Sequence, residues 1–270
     1  MKIVQSNVEA REAVHVLLLR ELQRVGSGNA VVLKGGVNLR LFFGSVRYSE
    51  DMDLDGRPEW SHAIRSTVAG IFDSRRFQAS LRELGLRGLD PGEGVNKDTE
   101  TVFRYKFGII GRGEVTYPTK VEVSFRTPDA ADQSVLEPVG DGFTSAYLGG
   151  GQSLAVEHYD RPAAVRQKIG ALVGRKHVQA RDVFDLRVLG LSAPGSPLVD
   201  HLAAHVDARS LQSARDRTLE ISFGEYDGQV VEFLSDDVRG ELGTPSAWDQ
   251  IRLEVAEAIE SAMDAEGSAG

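Results

Sequence analysis

No cysteine occurs in the 270 residues, which excludes disulfides, thiolate zinc sites and cysteine nucleophiles. No apolar run is long enough to span a bilayer, and the opening Met1-Lys2-Ile3-Val4-Gln5-Ser6 lacks a signal-peptide core. The expectation is therefore a cytosolic protein without a membrane partner. There are no internal repeats, and no low-complexity tract beyond the last few residues. His158 and His177 have no companions at metal-ligand spacing and read as surface or phosphate-adjacent side chains. What is present is a globular composition: 41% apolar residues can bury a sizeable core, and 29.4 kDa allows one large domain or two smaller ones.

Charge is unevenly spread. The net charge of −9 argues mildly against nucleic-acid binding by bulk attraction, but from Glu220 onward thirteen acids face two arginines, so the rest of the chain carries about +2. Between Arg161 and Arg187 there are seven Lys/Arg and two acids, a stripe able to hold phosphates. The acidic tail is equally well read as a solubility device.

The chemistry concentrates in residues 31–55. Val31-Val32-Leu33 reads as a strand, followed by Gly35-Gly36, a helix starting near Val37, and Ser49-Glu50-Asp51-Met52-Asp53-Leu54-Asp55. Strand alternation puts Ser49, Asp51 and Asp53 on one face and Met52 and Leu54 on the other. Two carboxylates on one face repel unless a cation joins them, and a hard, oxygen-seeking ion such as Mg²⁺ suits them. The glycines let backbone N–H groups approach a ligand, and a helix start beside them favours phosphate. A phosphate cradle a few residues before an acid pair is a layout for nucleotidyl transfer.

Lys-Gly-Gly-x-x-Leu-Arg-Leu, a glycine, then Arg-x-Ser-x-Asp-x-Asp-Leu resembles the AbiEii/AbiGii nucleotidyltransferase toxin family, which includes the MenT toxins, within the polymerase-β-like superfamily. A second block is similar too: Lys168, Ala171-Leu172, Arg175 and Arg181-Asp182-Val183-Phe184-Asp185-Leu186. The resemblance covers about residues 30–190. It implies an α+β fold, a mixed sheet with flanking helices followed by an α-helical region. It also implies a toxin of a toxin–antitoxin pair that transfers NMP from an NTP to RNA, with the tRNA 3′ end as family precedent, using Mg²⁺ or Mn²⁺ and neutralised by an antitoxin. The alternatives are an NTP-binding protein without turnover, and transfer to a protein or small-molecule hydroxyl. Val37 departs from the pattern, since a Ser or Thr is common there in the superfamily.

On this reading Asp51, Asp53 and Glu122 hold the metal. Glu122 lies on the alternating strand Lys120–Phe125, and its other reading is an ordinary cross-strand Lys–Glu pair. Gly35 and Gly36 cradle the triphosphate, with Ser49 nearby. Lys34 either supports the turn or touches phosphate, and Arg47 reaches phosphate. Lys168 and Arg175, two helical turns apart, share a face toward the triphosphate; Lys168 and Asp182 are site residues by the resemblance. Asp182 or Glu122 takes the hydroxyl proton. Asp185 reads equally as catalytic or as a partner of Arg181 or Arg175. Arg40 reads as a structural partner of an acid, and Asp55 as a strand-end residue.

The remaining elements follow from periodicity. Helices are expected at about 8–24 and 58–73, the second burying Trp60, Ile64, Val68 and Ile71. Residues 85–98 read as loop, 101–109 and 120–125 as strands with Thr127-Pro128-Asp129 ending the latter, and 142–148 as a short strand. Asp160 caps a helix running to about Arg175, with Pro162 in its first turn. Further helices are expected from about Ala180 and at 198–207, 209–219, 224–238 and 245–263. The division is placed at 155, giving a nucleotidyltransferase α/β domain over 1–155 and a helical domain over 156–270 that contributes Lys168 and Asp182 to the site.

Overall fold

Alternating and fully apolar runs build a seven-stranded mixed sheet in the first part of the chain. The structure is a computed structural model that describes residues 2–126 and 133–268, the side chains of 266–268 excepted. The expected strand stop at Thr127-Pro128-Asp129 lies outside the described residues. The chain divides into two units: Met1–Phe42 with Tyr48–Tyr159, and Phe43–Arg47 with Asp160–Gly270.

The first unit begins with α1 (Asn7–Arg24), whose Ser6 cap accepts from Glu9 N–H. Then come β1 (Val31–Lys34), α2 (Gly35–Phe42), β2 (Met52–Gly56), α3 (Ser61–Asp73) and α4 (Arg75–Glu83). They are followed by β3 (Gly88–Thr99), β4 (Val102–Ile110), β5 (Thr116–Ser124), β6 (Ser134–Pro138), α5 (Asp141–Tyr147) and β7 (Ala155–Tyr159). The strand order is β3-β4-β5-β2-β1-β7-β6. β2 runs antiparallel to β1 and parallel to β5.

Pairing fixes two unlike faces on the β4-β5-β2 part of this sheet. Met52, Leu54, Val121 and Val123 are fully buried. Phe103, Tyr105 and Phe107 lie on their side, where Phe72 of α3 packs on Tyr105 and Phe107. Burying such side chains contributes roughly 1.5–3 kcal/mol each. The opposite face carries Asp53, Arg104, Lys106, Lys120 and Glu122.

The structure corrects several expectations in this unit. Residues 88–99 form β3 rather than loop; its glycines hide the alternation because Gly92 and Gly94 sit at positive φ where the register slips. Residues 141–147 are helical, not a strand, with Asp141 in the first turn. Trp60 is 53% exposed, because Pro58 opens a separate 3₁₀ turn before α3, while Ile64, Val68 and Ile71 are buried as expected. Ser49 and Asp51 precede β2 rather than lying in it. His158 is buried and stacked on Phe42 at 3.6 Å, not at the surface.

The second unit is helical: α6 (Arg161–Gly174), α7 (Ala180–Val188), α8 (Pro197–His205), α9 (Ala208–Glu220), α10 (Phe223–Gln229), α11 (Asp236–Leu242) and α12 (Pro245–Ser268). Asp160 caps α6 by accepting from Ala163 N–H, with Pro162 in the first turn. The single helix expected at 224–238 is broken: α10 ends at Gln229, and α11 starts at Asp236. Trp248 is buried, stacks on Tyr226 at 4.5 Å and donates to Ile221 O. The segment Phe43–Arg47 joins this unit through a β-bridge between Arg47 and Leu234. Among the described residues no helix is long and apolar enough to cross a membrane.

Candidate active site

Strand register creates an unusual row of charges in the first unit. Lys34 of β1 stands opposite Asp53 of β2, Asp53 opposite Glu122 of β5, Glu122 opposite Arg104 of β4, and Arg104 opposite Lys97 of β3. Directly opposed residues share a face, and like charges in that relation destabilise the sheet. Asp53 and Glu122 are such a like pair, and Asp51 stands at the head of β2 beside them. Burial pushes the Asp53 carboxyl above the usual range; Lys34 and Lys120 pull it down more than Asp51 and Glu122 push it up, but not enough to cancel the burial.

Each neighbouring acid is answered by a cation. The Lys120 ammonium donates to Asp51 Oδ2, and Arg104 Nε donates to Glu122 Oε2 at 2.6 Å. Thr119 Oγ1 donates to Glu50 O at 2.7 Å, which ties the approach to Asp51 onto β5. Among the described residues no three His, Cys, Asp or Glu side chains form a ready metal cage, and Asp51 and Glu122 are turned toward these cations. The donors themselves suit a hard cation, being all carboxylate oxygens, and a divalent ion would replace Lys120 and Arg104 as their counter-charge.

The glycine turn lies against this row. α2 begins at Gly35 itself rather than near Val37, and Gly35 has φ +70°, a conformation open to glycine without strain. A Cβ there would come within 3.0 Å of Asp53 Oδ2, so backbone and carboxylate approach as only glycine permits. Lys34 Nζ donates to Asp55 Oδ1 at 2.5 Å, and Tyr159 Oη donates to Asp55 Oδ2 at 2.7 Å. Asp55 is thus buried inside the strand as a structural acid. Asn38 Nδ2 donates to Tyr159 O at 2.9 Å, so α2 is tied to β7. Ser49 Oγ donates to Asp51 O at 2.8 Å. Arg40 pairs with Glu12 at 2.6 Å, the structural partnership its position implies.

Within the second unit Lys168, Arg175, Asp182 and Asp185 come together with Arg47. Lys168 Nζ lies 3.0 Å from Asp182 Oδ1 and 2.6 Å from Asp185 Oδ2. Arg47 Nη2 donates to both Asp185 oxygens at 3.0 and 3.1 Å, and Arg175 Nε lies 3.5 Å from Asp182 Oδ2. Asp182 and Asp185 are fully buried. Asp185 pairs with Arg47 and Lys168, not with Arg181 or Arg175. Burial alone would raise the Asp185 carboxyl; the Arg47 and Lys168 charges outweigh it and hold it below the usual range. Lys168 is raised in turn: burial disfavours its charge, but Asp185 and Asp182 more than compensate.

Sequence reasoning passes over Arg104 and Lys120 as members of the first cluster. The alternation of β4 and β5 already puts them on its face; only the register between strands shows what they touch.

A mixed sheet that sets opposed carboxylates beside a glycine-opened helix defines a class, the nucleotidyltransferase fold. Two solved structures are similar over nearly the whole chain. MenT4, nucleotidyltransferase toxin Rv2826c from Mycobacterium tuberculosis H37Rv, superposes with TM-score 0.54 at 18% identity, covering 96% of this chain and 84% of that one. JHP933 from Helicobacter pylori gives TM-score 0.53 at 17% identity, covering 98% and 95%. At these identities the likeness concerns fold. No curated protein sequence matches the chain significantly. The family is settled by sequence: residues 17–264 match the nucleotidyl transferase AbiEii toxin family of type IV toxin–antitoxin systems, and the chain belongs to it. It is a nucleotidyltransferase.

Proposed function

We propose that the chain transfers a nucleoside monophosphate from an NTP to a hydroxyl at the 3′ end of tRNA, acting as a toxin that a cognate antitoxin restrains. The observation that carries this reading is the opposed Asp53–Glu122 pair with Asp51 beside it, against a turn where only glycine fits. Asp51, Asp53 and Glu122 would hold Mg²⁺ or Mn²⁺, which when bound supplies charge stabilisation to the attacking and leaving oxygens. The N–H groups of Gly35 and Gly36, at the start of α2, cradle the triphosphate, and Lys34, paired with Asp55, ends the strand that leads into them. The acceptor oxygen attacks the α-phosphorus, the bond to the β-phosphate oxygen breaks, and pyrophosphate leaves. Glu122, one oxygen held by Arg104, takes the hydroxyl proton on the other.

The phosphate roles of Lys168, Arg175, Arg47 and Ser49, and the alternative proton role of Asp182, remain part of the proposal on the strength of the family resemblance. In the second unit, the ion pairs of Lys168 and Arg47 equally support a purely structural part for them.

The test is incubation of purified protein with total RNA and each labelled NTP in Mg²⁺, wild type beside Asp51→Ala. The expected result is tRNA-sized product labelled by the wild type alone, with at least a ~100-fold loss in the variant. No labelling by the wild type, or equal labelling by both, overturns the proposal.

A further inference from the structure

A cavity of about 480 Å³ opens beside Asp51 in the first unit. Its walls come from β3, β4 and β5, and none of its residues has a role in the scheme above except Asp51. In sheet order, the glycine turn follows β1 on one side of β2, and the cavity lies on the β5 side. That placement has a chemical consequence. In phosphoryl-type transfer the attacking and leaving oxygens stand roughly in line through phosphorus. With the triphosphate tail over the glycines, the attacking hydroxyl must arrive from the β5 side, through this cavity.

The lining says what arrives. Lys106 and Lys120 project into it, two residues opposite each other on paired strands. Lys106 meets Glu93 at 3.3 Å, but the two side chains are 41% and 63% exposed. A pair that open contributes little, so the ammonium is available to an incoming anion. Pro118 and Gly108 supply apolar wall. Glu50, Asp90 and Glu93 stand around the same cavity and would repel a second or third phosphate. The volume falls in the range of small-ligand sites. An extended polyanion track does not fit this lining; a single nucleotide, entering end-on, does.

We propose that this cavity receives the terminal nucleotide of the RNA acceptor, with Lys106 on its one backbone phosphate and its free hydroxyl directed at Asp51 and Asp53. The inference rests on the nucleotidyl-transfer reading and deepens it by placing the second substrate.

The experiment measures fluorescence anisotropy of a 5′-labelled single-stranded RNA hexamer ending in a free 3′-hydroxyl. The proteins are full-length wild type, Lys106→Met, Lys106→Arg and, as a surface-charge control, Arg87→Met. Calorimetric NTP binding in Mg²⁺ is measured on the same proteins. The expected result is an RNA Kd about tenfold weaker for Lys106→Met, largely restored by Lys106→Arg, with NTP affinity unchanged and Arg87→Met like wild type. A methylphosphonate at the last linkage should erase the difference between wild type and Lys106→Met. RNA binding indifferent to Lys106, or an equal loss of NTP binding, overturns the proposal. So does finding that the labelled acceptor is a protein. If wild type labels no RNA yet binds the hexamer through Lys106, the transfer reading fails and the cavity assignment stands. If labelling succeeds and Lys106 is inert, the reverse holds.

Discussion

Two clusters of carboxylates, one in each unit, are built from the same residue types and behave in opposite ways. In the second unit Asp182 and Asp185 are buried and met by Lys168, Arg47 and Arg175; the cations outweigh the desolvation, and the Asp185 carboxyl is held low. In the first unit Asp53 is set opposite Glu122 and near Asp51, and burial pushes its carboxyl up further than Lys34 and Lys120 bring it down, with Asp51 and Glu122 adding smaller pushes upward. In the second unit's cluster every carboxylate faces a cation, although Asp182 Oδ2 has only Arg175 at 3.5 Å. The first unit leaves Asp53 with an uncancelled cost of burial and a like charge opposite it in register, which a divalent cation would relieve. Local strain of this kind gathers at functional sites and is held by the surrounding structure. The difference is one of who stands opposite whom, not of composition.

The most forceful way to break the comparison is to remove an acid from the second unit's cluster. Asp185→Ala removes the carboxylate that Arg47 and Lys168 share, leaving Lys168 with Asp182. Its expected cost is about 3–5 kcal/mol of stability, read from the urea midpoint. A cost under about 1 kcal/mol would show that the second cluster is not a structural lock.

That asymmetry also bears on how much the sequence could reveal. The shared face of Asp53 and Glu122 is legible because alternation fixes it and their neighbours Met52, Leu54, Val121 and Val123 are plainly apolar; Asp51 is read into the same strand but lies just before it. The cap at Asp160 and most of the helices of the second unit follow from local rules that operate within a few residues. The partners Arg104, Lys120, Arg47 and Asp185 were not legible as partners, because pairing over 138 residues, as for Arg47 and Asp185, leaves no local pattern. β3 was hidden by its glycines, which serve the bulges rather than a loop. His158 looked like a surface residue, since nothing nearby in the chain announces the Phe42 ring that covers it.

Acid separates the clusters more gently. Asp185 has a lowered folded value, so its contribution is fully present above the ordinary carboxylate value of 3.8 and is lost as pH falls through the folded value below it. Asp53 has a raised folded value, so its ionisation destabilises the fold as pH rises from 3.8 through that value, and protonation relieves the stress. Hydrogen exchange on lowering the pH toward 4 should therefore show β2 amides gaining protection, after correction for intrinsic exchange, while α7 amides hold steady. Loss of protection in β2 over that window would contradict the assignment.

The central claim is that Asp53 is kept at a cost to stability for the sake of a cation. Asp53→Asn tests it directly, by melting the metal-free protein and titrating Mn²⁺ calorimetrically into the same sample. The account predicts a higher melting temperature than wild type together with loss of Mn²⁺ binding. A lower melting temperature, or Mn²⁺ bound as tightly as by the wild type, would contradict it.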